Sequence, residues 1–238
     1  MKEVLADVRQ TLQDYVEPSL IVASARFFKE DEQPKEYGVA KDILSKIGRE
    51  LFNDVKSSSK EEIYTLCNEL WKSLYFEEAY IACIVTKRLS RQYQAKDIKW
   101  FQSWVENYVS NWASCDTLCC STIGPLLIQY PDLVIRLKHW ALSSNRWMRR
   151  AAAVSLVVPA RKGLFLEEVF EIATILLKEQ DDLVQKGSGW MLKEASKVHQ
   201  EKVFKYVVKH KAVMPRTTLR YAIEKLPIAL KKEAMIRE

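Results

Sequence analysis

Apolar residues recur at spacings of three and four along almost the whole chain, which is the period of an amphipathic helix. Three stripes show this spacing, and they consist of Val4, Val8, Leu12 and Val16; Ile63, Leu66, Cys67, Leu70 and Leu74; and Val169, Ile172, Leu176 and Leu177. Strand-like alternation of apolar and polar residues is almost absent. The pattern therefore predicts an all-α protein.

Short breaks separate the predicted helices. They fall at Pro18, Pro34, Asn53–Asp54, Pro131, Ser143–Ser144, Pro159, Gly163, Pro215 and Pro227. This spacing predicts a dozen or so helices of about 10 to 16 residues. Helix pairs recur at intervals of roughly 35 to 45 residues, which favours HEAT-like pairs stacked into one curved α-solenoid domain over residues 1–238, with an extended concave face for binding. A compact helical bundle is the alternative.

Composition narrows the class of protein. The chain is 48% hydrophobic and 29% charged, with a net charge of +6, which is typical of a globular protein and only weakly favours a polyanionic partner. Five cysteines, an odd number, indicate reduced thiols. We expect a cytoplasmic monomer, because neither a targeting segment nor a membrane span is visible.

One carboxylate stands alone in a long uncharged stretch. Between Asn107 and Pro131 the only charged side chain is Asp116. Trp112 precedes it by four residues, so the two share one face of a helix, one turn apart. Because a lone carboxylate is costly to bury without a partner, Asp116 either caps or pairs with a neighbouring helix, or serves as an anion beside a cationic transition state.

The segment that follows Asn145 carries two adjacent arginines. On a helix, Trp147, Ala151 and Val154 form an apolar stripe. Arg150 lies beside that stripe, so we expect packing to hold it, whereas we expect Arg149 to extend into solvent. A guanidinium held in this way suits either a structural ion pair or bidentate contact to a phosphate.

Two glycines interrupt a helical pattern near residue 188. Gly187 and Gly189 each cost about 1 kcal/mol relative to Ala, a cost that the close approach of another helix or of a ligand would explain. Trp190 follows directly and is either a core indole or part of a site. Further on, a basic run from Lys202 to Lys225 includes Arg216 and interleaved tyrosines, which suits a backbone-binding strip or a solvated helix face.

Common catalytic and metal-binding motifs are missing from the sequence. It has no GxGxxG, P-loop, CxxC pair or HExxH, and its three histidines are scattered. Cys115, Cys119 and Cys120 have no fourth ligand at a suitable spacing for zinc. We therefore predict neither a metal site nor a cofactor.

Four ordered segments together resemble the AlkD-like DNA alkylation repair family, helical-repeat glycosylases that remove cationic alkylated purines. The matching segments are 25–29, which reads ARFFK, 112–116, 147–152 and 185–194. The resemblance implies that Asp116 is the essential carboxylate, that Trp112 and Trp190 flank the lesion, and that Arg150 contacts the DNA backbone. The other DNA contacts that we predict are Lys193, Lys186, Phe27, Lys29 and Arg216.

Two positions depart from the family pattern. Phe27 stands where the family commonly has Tyr, so this chain has no hydroxyl there to bind DNA. Ala113 replaces the first acid of a Trp-Asp-x-x-Asp motif, while Asp116 keeps the second. The resemblance implies an alkylpurine DNA glycosylase acting on double-stranded DNA with alkylated bases. A non-catalytic DNA-binding paralogue and a protein–protein scaffold are the alternatives.

Overall fold

A computed structural model describes residues 1–236, and every regular element in that range is helical. The prediction of an all-α protein is confirmed. The chain forms two compact units, Met1–Thr122 and Ile123–Glu238. That residues 1–238 form a single domain stays a prediction.

The first unit contains seven α-helices among the residues described. They are α1 (Lys2–Asp14), α2 (Pro18–Ala25), α3 (Lys41–Val55), α4 (Lys60–Lys72), α5 (Phe76–Arg88), α6 (Ile98–Asn107) and α7 (Trp112–Leu118). A π-helical segment, Cys119–Ile123, follows α7.

The described part of the second unit contains nine more helices. They are α8 (Gly124–Gln129), α9 (Ile135–Ala141), α10 (Arg146–Val154), α11 (Val157–Arg161), α12 (Leu166–Ile175), α13 (Asp182–Ser196), α14 (Gln200–His210), α15 (Arg216–Ala222) and α16 (Ile228–Met235). Together the described residues of the two units form sixteen α-helices, more than the predicted dozen or so, and many are shorter than expected. Two predicted breaks are wrong, because Asn53 and Asp54 lie inside α3 and Pro159 lies inside α11.

The core of the first unit follows the predicted stripes. Val8, Leu12, Ile63, Leu66, Cys67 and Leu70 are buried. Leu74 is an exception, because α4 ends at Lys72 and Leu74 adopts a positive φ of 63° with its side chain exposed. Large rings complete the core, with Trp71 stacked on Trp104 at 6.0 Å between ring centroids.

Two buried carboxylates at the start of α5 hold the segment that precedes α3. Glu77 accepts hydrogen bonds from the main-chain N–H groups of Tyr37, Gly38 and Val39 at 3.0, 2.8 and 3.2 Å. Glu78 accepts from the Tyr37 hydroxyl at 2.8 Å and from Arg9 on α1 at 3.0 Å. These bonds satisfy charges that would be costly to bury alone, and they attach α1 and the 37–39 segment to α5.

Helix α13 is the centre of the second unit, packed between α10 and α15. A Cβ on Gly189 would lie 2.5 Å from Tyr221 Cβ and 2.7 Å from the Thr218 carbonyl, and a Cβ on Gly187 would lie 3.2 Å from Val154 Cγ2. The two glycines therefore permit close helix packing, which decides between the two explanations that the sequence left open.

No helix within residues 1–236 is long and apolar enough to span a membrane.

Candidate functional site

Trp112 and Asp116 share the partly exposed face of α7. The Asn111 side chain accepts a hydrogen bond from the Ser114 N–H at 2.9 Å and so caps the helix. Trp112 therefore occupies the first helical position, and Asp116 follows one turn later. Both side chains are half-buried, whereas Cys115 between them is fully buried. The predicted common face is confirmed.

The end of α2 holds the Trp112 indole. Its Nε1 donates to the main-chain carbonyl of Phe27 at 3.3 Å. Its ring stacks on Phe28, with 5.2 Å between centroids and 24° between planes. Phe28 was not among the predicted site residues, and no sequence spacing connects it to a residue 84 positions away.

A cavity of about 300 Å³ lies beside Trp112. Phe27, Phe28 and Phe76 supply aromatic walls, and Glu36 and Glu77 supply carboxylates. Burial and the charge of Glu77 raise the pKa of the Glu36 carboxyl, although a hydrogen bond from Ser24 opposes the shift. Arg26 and Lys41 also line the cavity, so it is mostly apolar with charged groups of both signs at its edge, a combination that sequence reasoning missed.

Trp190 on α13 is also held through its ring nitrogen. Its Nε1 donates to Glu194 Oε1 at 3.3 Å, and the other oxygen of Glu194 accepts from Arg161 at 2.6 Å and from Lys197 at 2.7 Å. Burial alone would raise the pKa of this carboxyl, but the Arg161 and Lys197 cations outweigh it and lower the pKa. Glu194 follows Trp190 by four residues, a helical spacing that could have revealed the pair.

The two adjacent arginines of α10 behave differently from each other. Arg150 is 5% exposed, and its guanidinium donates to the Leu183 carbonyl, so the expectation that packing holds it is confirmed. The expectation for Arg149 was wrong. Arg149 donates to Glu179 at 2.6 Å and to the Ser143 and Ser144 carbonyls at 3.0 and 2.9 Å, because the chain outside α10 folds back over that side of the helix.

The other residues predicted to contact DNA differ in their exposure and in their partners. Phe27 and Lys29 are exposed. Lys186 forms an ion pair with Asp182 at 3.2 Å, and Lys193 forms one with Glu224 at 2.8 Å. Arg216 Nη2 lies 3.5 Å from the sulfur of Met235.

The tyrosines of the basic run pack within the second unit. Tyr206 stacks on Phe170 at 4.6 Å, and the Lys193 ammonium lies 5.6 Å from the centre of the Tyr221 ring. The rings therefore support the helices that carry the cations.

The described part of the chain has no group of three or more His, Cys, Asp or Glu side chains placed to hold a metal ion. Cys67 and Cys83 are fully buried, and burial raises the pKa of both thiols. Such thiols stay protonated and are poor nucleophiles at neutral pH.

Two of the comparisons with known proteins name DNA alkylation repair. A sequence profile described as DNA alkylation repair enzyme matches residues 8–226. A solved structure described as a predicted DNA alkylation repair enzyme from Enterococcus faecalis superposes with a TM-score of 0.78 at 15% identity, covering 90% of this chain and 97% of that one. The structure of smu.31 from Streptococcus mutans UA159 gives a TM-score of 0.58 at 19% identity, covering 81% and 94%. No curated protein matches the chain in sequence.

Proposed function

The chain belongs to the DNA alkylation repair enzyme family, and on that premise we propose that it is a DNA glycosylase that excises cationic alkylated purines, of the N3-methyladenine and N7-methylguanine type, from duplex DNA. The observation that carries the proposal is the position of Asp116. It is the only charged side chain between Asn107 and Pro131, and it lies half-buried one turn from Trp112.

The proposed chemistry requires an anion rather than an acid. A purine alkylated at N3 or N7 already carries positive charge, so it leaves without being protonated. Its departure builds an oxocarbenium-like cation on the deoxyribose, and a fixed carboxylate stabilises that cation more than it stabilises the neutral sugar. Asp116 supplies this charge and orients the attacking water.

We assign the two indoles to the same step. The family resemblance assigns Trp112, and likewise Trp190, to the flank of the lesion, where a π face stabilises a cationic sugar by about 0.5 to 2 kcal/mol. The hydrogen bonds to the Phe27 carbonyl and to Glu194 support this assignment, because each limits rotation of a ring that remains half-buried.

The residues proposed to contact the DNA backbone differ in exposure and in the partners that a phosphate would have to replace. Lys29 is exposed, and Lys186 must exchange its ion pair with Asp182 for the phosphate. Lys193 is 14% exposed and must exchange Glu224 for the phosphate. Arg150 is the most covered of the set, so its contact requires local opening around α10.

The decisive experiment is single-turnover release of 7-methylguanine from duplex DNA, with mass spectrometry of the freed base. We expect Asp116→Asn to abolish release while sparing DNA affinity. Asp132→Asn is the matched control, because it removes the same charge from an exposed position further along the chain. Near-native release by Asp116→Asn would refute the catalytic assignment.

Two other outcomes separate the rival functions. A wild-type protein that binds duplex DNA but releases no base would be a non-catalytic DNA-binding member of the family. The retained Asp116, Trp112 and Trp190 argue against this outcome, and the Phe27 and Ala113 departures leave room for it. A protein without salt-sensitive affinity for duplex DNA would be a protein–protein scaffold.

A further inference from the structure

We infer that a basic groove between α3 and α5 is a second site for the DNA backbone, an inference that rests on the proposed function and adds a substrate contact to it. The groove has a volume of about 580 Å³. Four cations line it, Arg49 from α3, Lys87 and Arg88 from α5, and Arg91 just beyond α5. No acidic side chain is among its lining residues.

Helical spacing brings these side chains to one surface. Ser45, Arg49 and Phe52 follow one another at intervals of four and three residues along α3. Tyr80, Ile84 and Lys87 repeat the same intervals along α5. Because residues at these intervals share a helix face, each helix presents one row of side chains to the groove.

The charges in the groove are not neutralised by the protein. Within residues 1–236, Arg49, Lys87 and Arg91 have neither an ion pair nor a side-chain hydrogen bond, and Arg88 has only a contact to the Phe52 ring, at 5.5 Å from its centre. Elsewhere in the first unit, Arg9 and Lys60 pair with Glu78 and Asp97. A cluster of like charges is unfavourable unless an anion offsets it, so the arrangement favours an anionic ligand.

The ligand is extended rather than small. The four donors are long, exposed side chains spread along two helices, whereas a small phosphate is usually held by main-chain N–H groups. Rows of exposed cations instead match a polyanion that binds by releasing its counterions. Their spread therefore favours a nucleic-acid backbone.

The aromatic rings favour a duplex over a single strand. Single-stranded nucleic acid binds by stacking its bases on open aromatic faces. Here Arg88 lies over the Phe52 ring, and Tyr80 lies against Phe76 at 6.0 Å between centroids. Since both rings already have partners, contact to the phosphates of paired DNA is the better fit.

Helix α5 also sets the distance between the groove cation Arg88 and the cavity beside Trp112. Phe76, its first residue, lines the cavity, and Arg88, its last, lines the groove. A helix of 13 residues is about 20 Å long. Phosphates of one strand are spaced about 3.4 Å along the duplex axis, so Arg88 lies roughly six nucleotides from the end of α5 that lines the cavity.

The test compares two triple variants that lower the net charge equally. Arg49→Gln/Lys87→Gln/Arg91→Gln removes three groove cations and keeps the contact between Arg88 and Phe52. Lys72→Gln/Lys96→Gln/Lys99→Gln is the control, since these exposed lysines lie outside α3, α5 and the groove lining. Affinity for an undamaged duplex is measured by fluorescence anisotropy across salt concentrations.

We expect the groove variant to bind about ten-fold more weakly than the control. We also expect it to reduce the slope of log K against log salt by about 2 to 3, because each phosphate that the protein no longer neutralises lowers that slope by about 0.9. Equal affinities and slopes for the two variants would overturn the inference. Weaker binding confined to single-stranded DNA would overturn the duplex assignment.

Two further measurements test the groove without a variant and separate it from the proposed function. Acetylation of the wild-type protein, read by mass spectrometry, should show Lys87 protected by duplex DNA and Lys99 unprotected; equal protection would contradict the inference without relying on any variant. Release of 7-methylguanine by the wild-type protein tests the proposed function separately from the groove. Absence of release from the wild-type protein would reject the proposed function, whereas the binding comparison tests the groove.

Discussion

The indole N–H of Trp112 donates to the main-chain carbonyl of Phe27 at 3.3 Å. Because the acceptor belongs to the main chain, this bond does not depend on which side chain occupies position 27. The departure from Tyr to Phe therefore leaves the placement of Trp112 intact and removes only a hydroxyl from a side chain that is 60% exposed.

Replacing Trp112 with Phe separates the hydrogen bond from the aromatic face. Trp112→Phe removes the donor to Phe27 but keeps a ring to stack on Phe28. We expect the free energy of unfolding to fall by about 0.5 to 1.5 kcal/mol and base release to slow without being abolished. Urea unfolding and single-turnover release measure the two effects. Trp100→Phe, at another half-buried indole, is the control, and an equal decrease in release there would refute the specific role.

Restoring the hydroxyl at position 27 should strengthen DNA binding. Phe27→Tyr adds one donor to an exposed ring and should leave stability unchanged within about 0.5 kcal/mol. One new hydrogen bond contributes about 1 kcal/mol, so we expect roughly five-fold tighter binding to duplex DNA by anisotropy. Unchanged affinity would show that the ring at position 27 does not face the backbone.

Neutralising Glu194 should lower the free energy of unfolding by an amount that depends on pH. Glu194→Gln removes the buried anion that Arg161, Lys197 and Trp190 share, so we expect the free energy of unfolding to fall by about 1 to 3 kcal/mol at neutral pH and base release to slow. The folded-state pKa of Glu194 lies below its ordinary value of 4.5. The stabilisation is therefore fully present above pH 4.5 and is lost as the pH falls through the lower, folded-state pKa.

Unfolding measured across that pH range checks the sign of the Glu194 effect. The difference between wild type and Glu194→Gln should stay constant from neutral pH down to the ordinary carboxyl pKa and shrink below it. Glu224→Gln is the control, because its carboxylate is much more exposed and should contribute less. A difference that grows on acidification would contradict the assignment.

Because α13 and α15 pack closely at Gly189, one methyl group added there should lower the free energy of unfolding. Gly189→Ala places a Cβ where Tyr221 and Thr218 leave no room, and we expect the free energy of unfolding to fall by about 1 to 3 kcal/mol or more. At Gly187 the nearest atom is a methyl group at 3.2 Å, and Ala gains about 1 kcal/mol in helix propensity. Gly187→Ala should therefore lower the free energy of unfolding, measured in urea, much less than Gly189→Ala does. Equal decreases for the two variants would contradict the packing explanation.

Local sequence patterns determined the helical class, the buried stripes of α1, α4 and α12, and the common face of Trp112 and Asp116. These depend on the rotation of about 100° per residue within one helix, which the order of residues alone specifies. The same geometry placed Arg150 beside a packed stripe. It could not place Arg149, because Glu179 and the 143–144 carbonyls that bind it lie outside α10.

Only the tertiary structure decided which distant residues meet. The stacking of Trp112 on Phe28, the contact of Gly189 with α15, and the alignment of Arg49 with Lys87 along one groove all join separate helices. Such contacts depend on how neighbouring helices pack and on the length of the segments that connect them, and periodicity within a single helix carries no information about either.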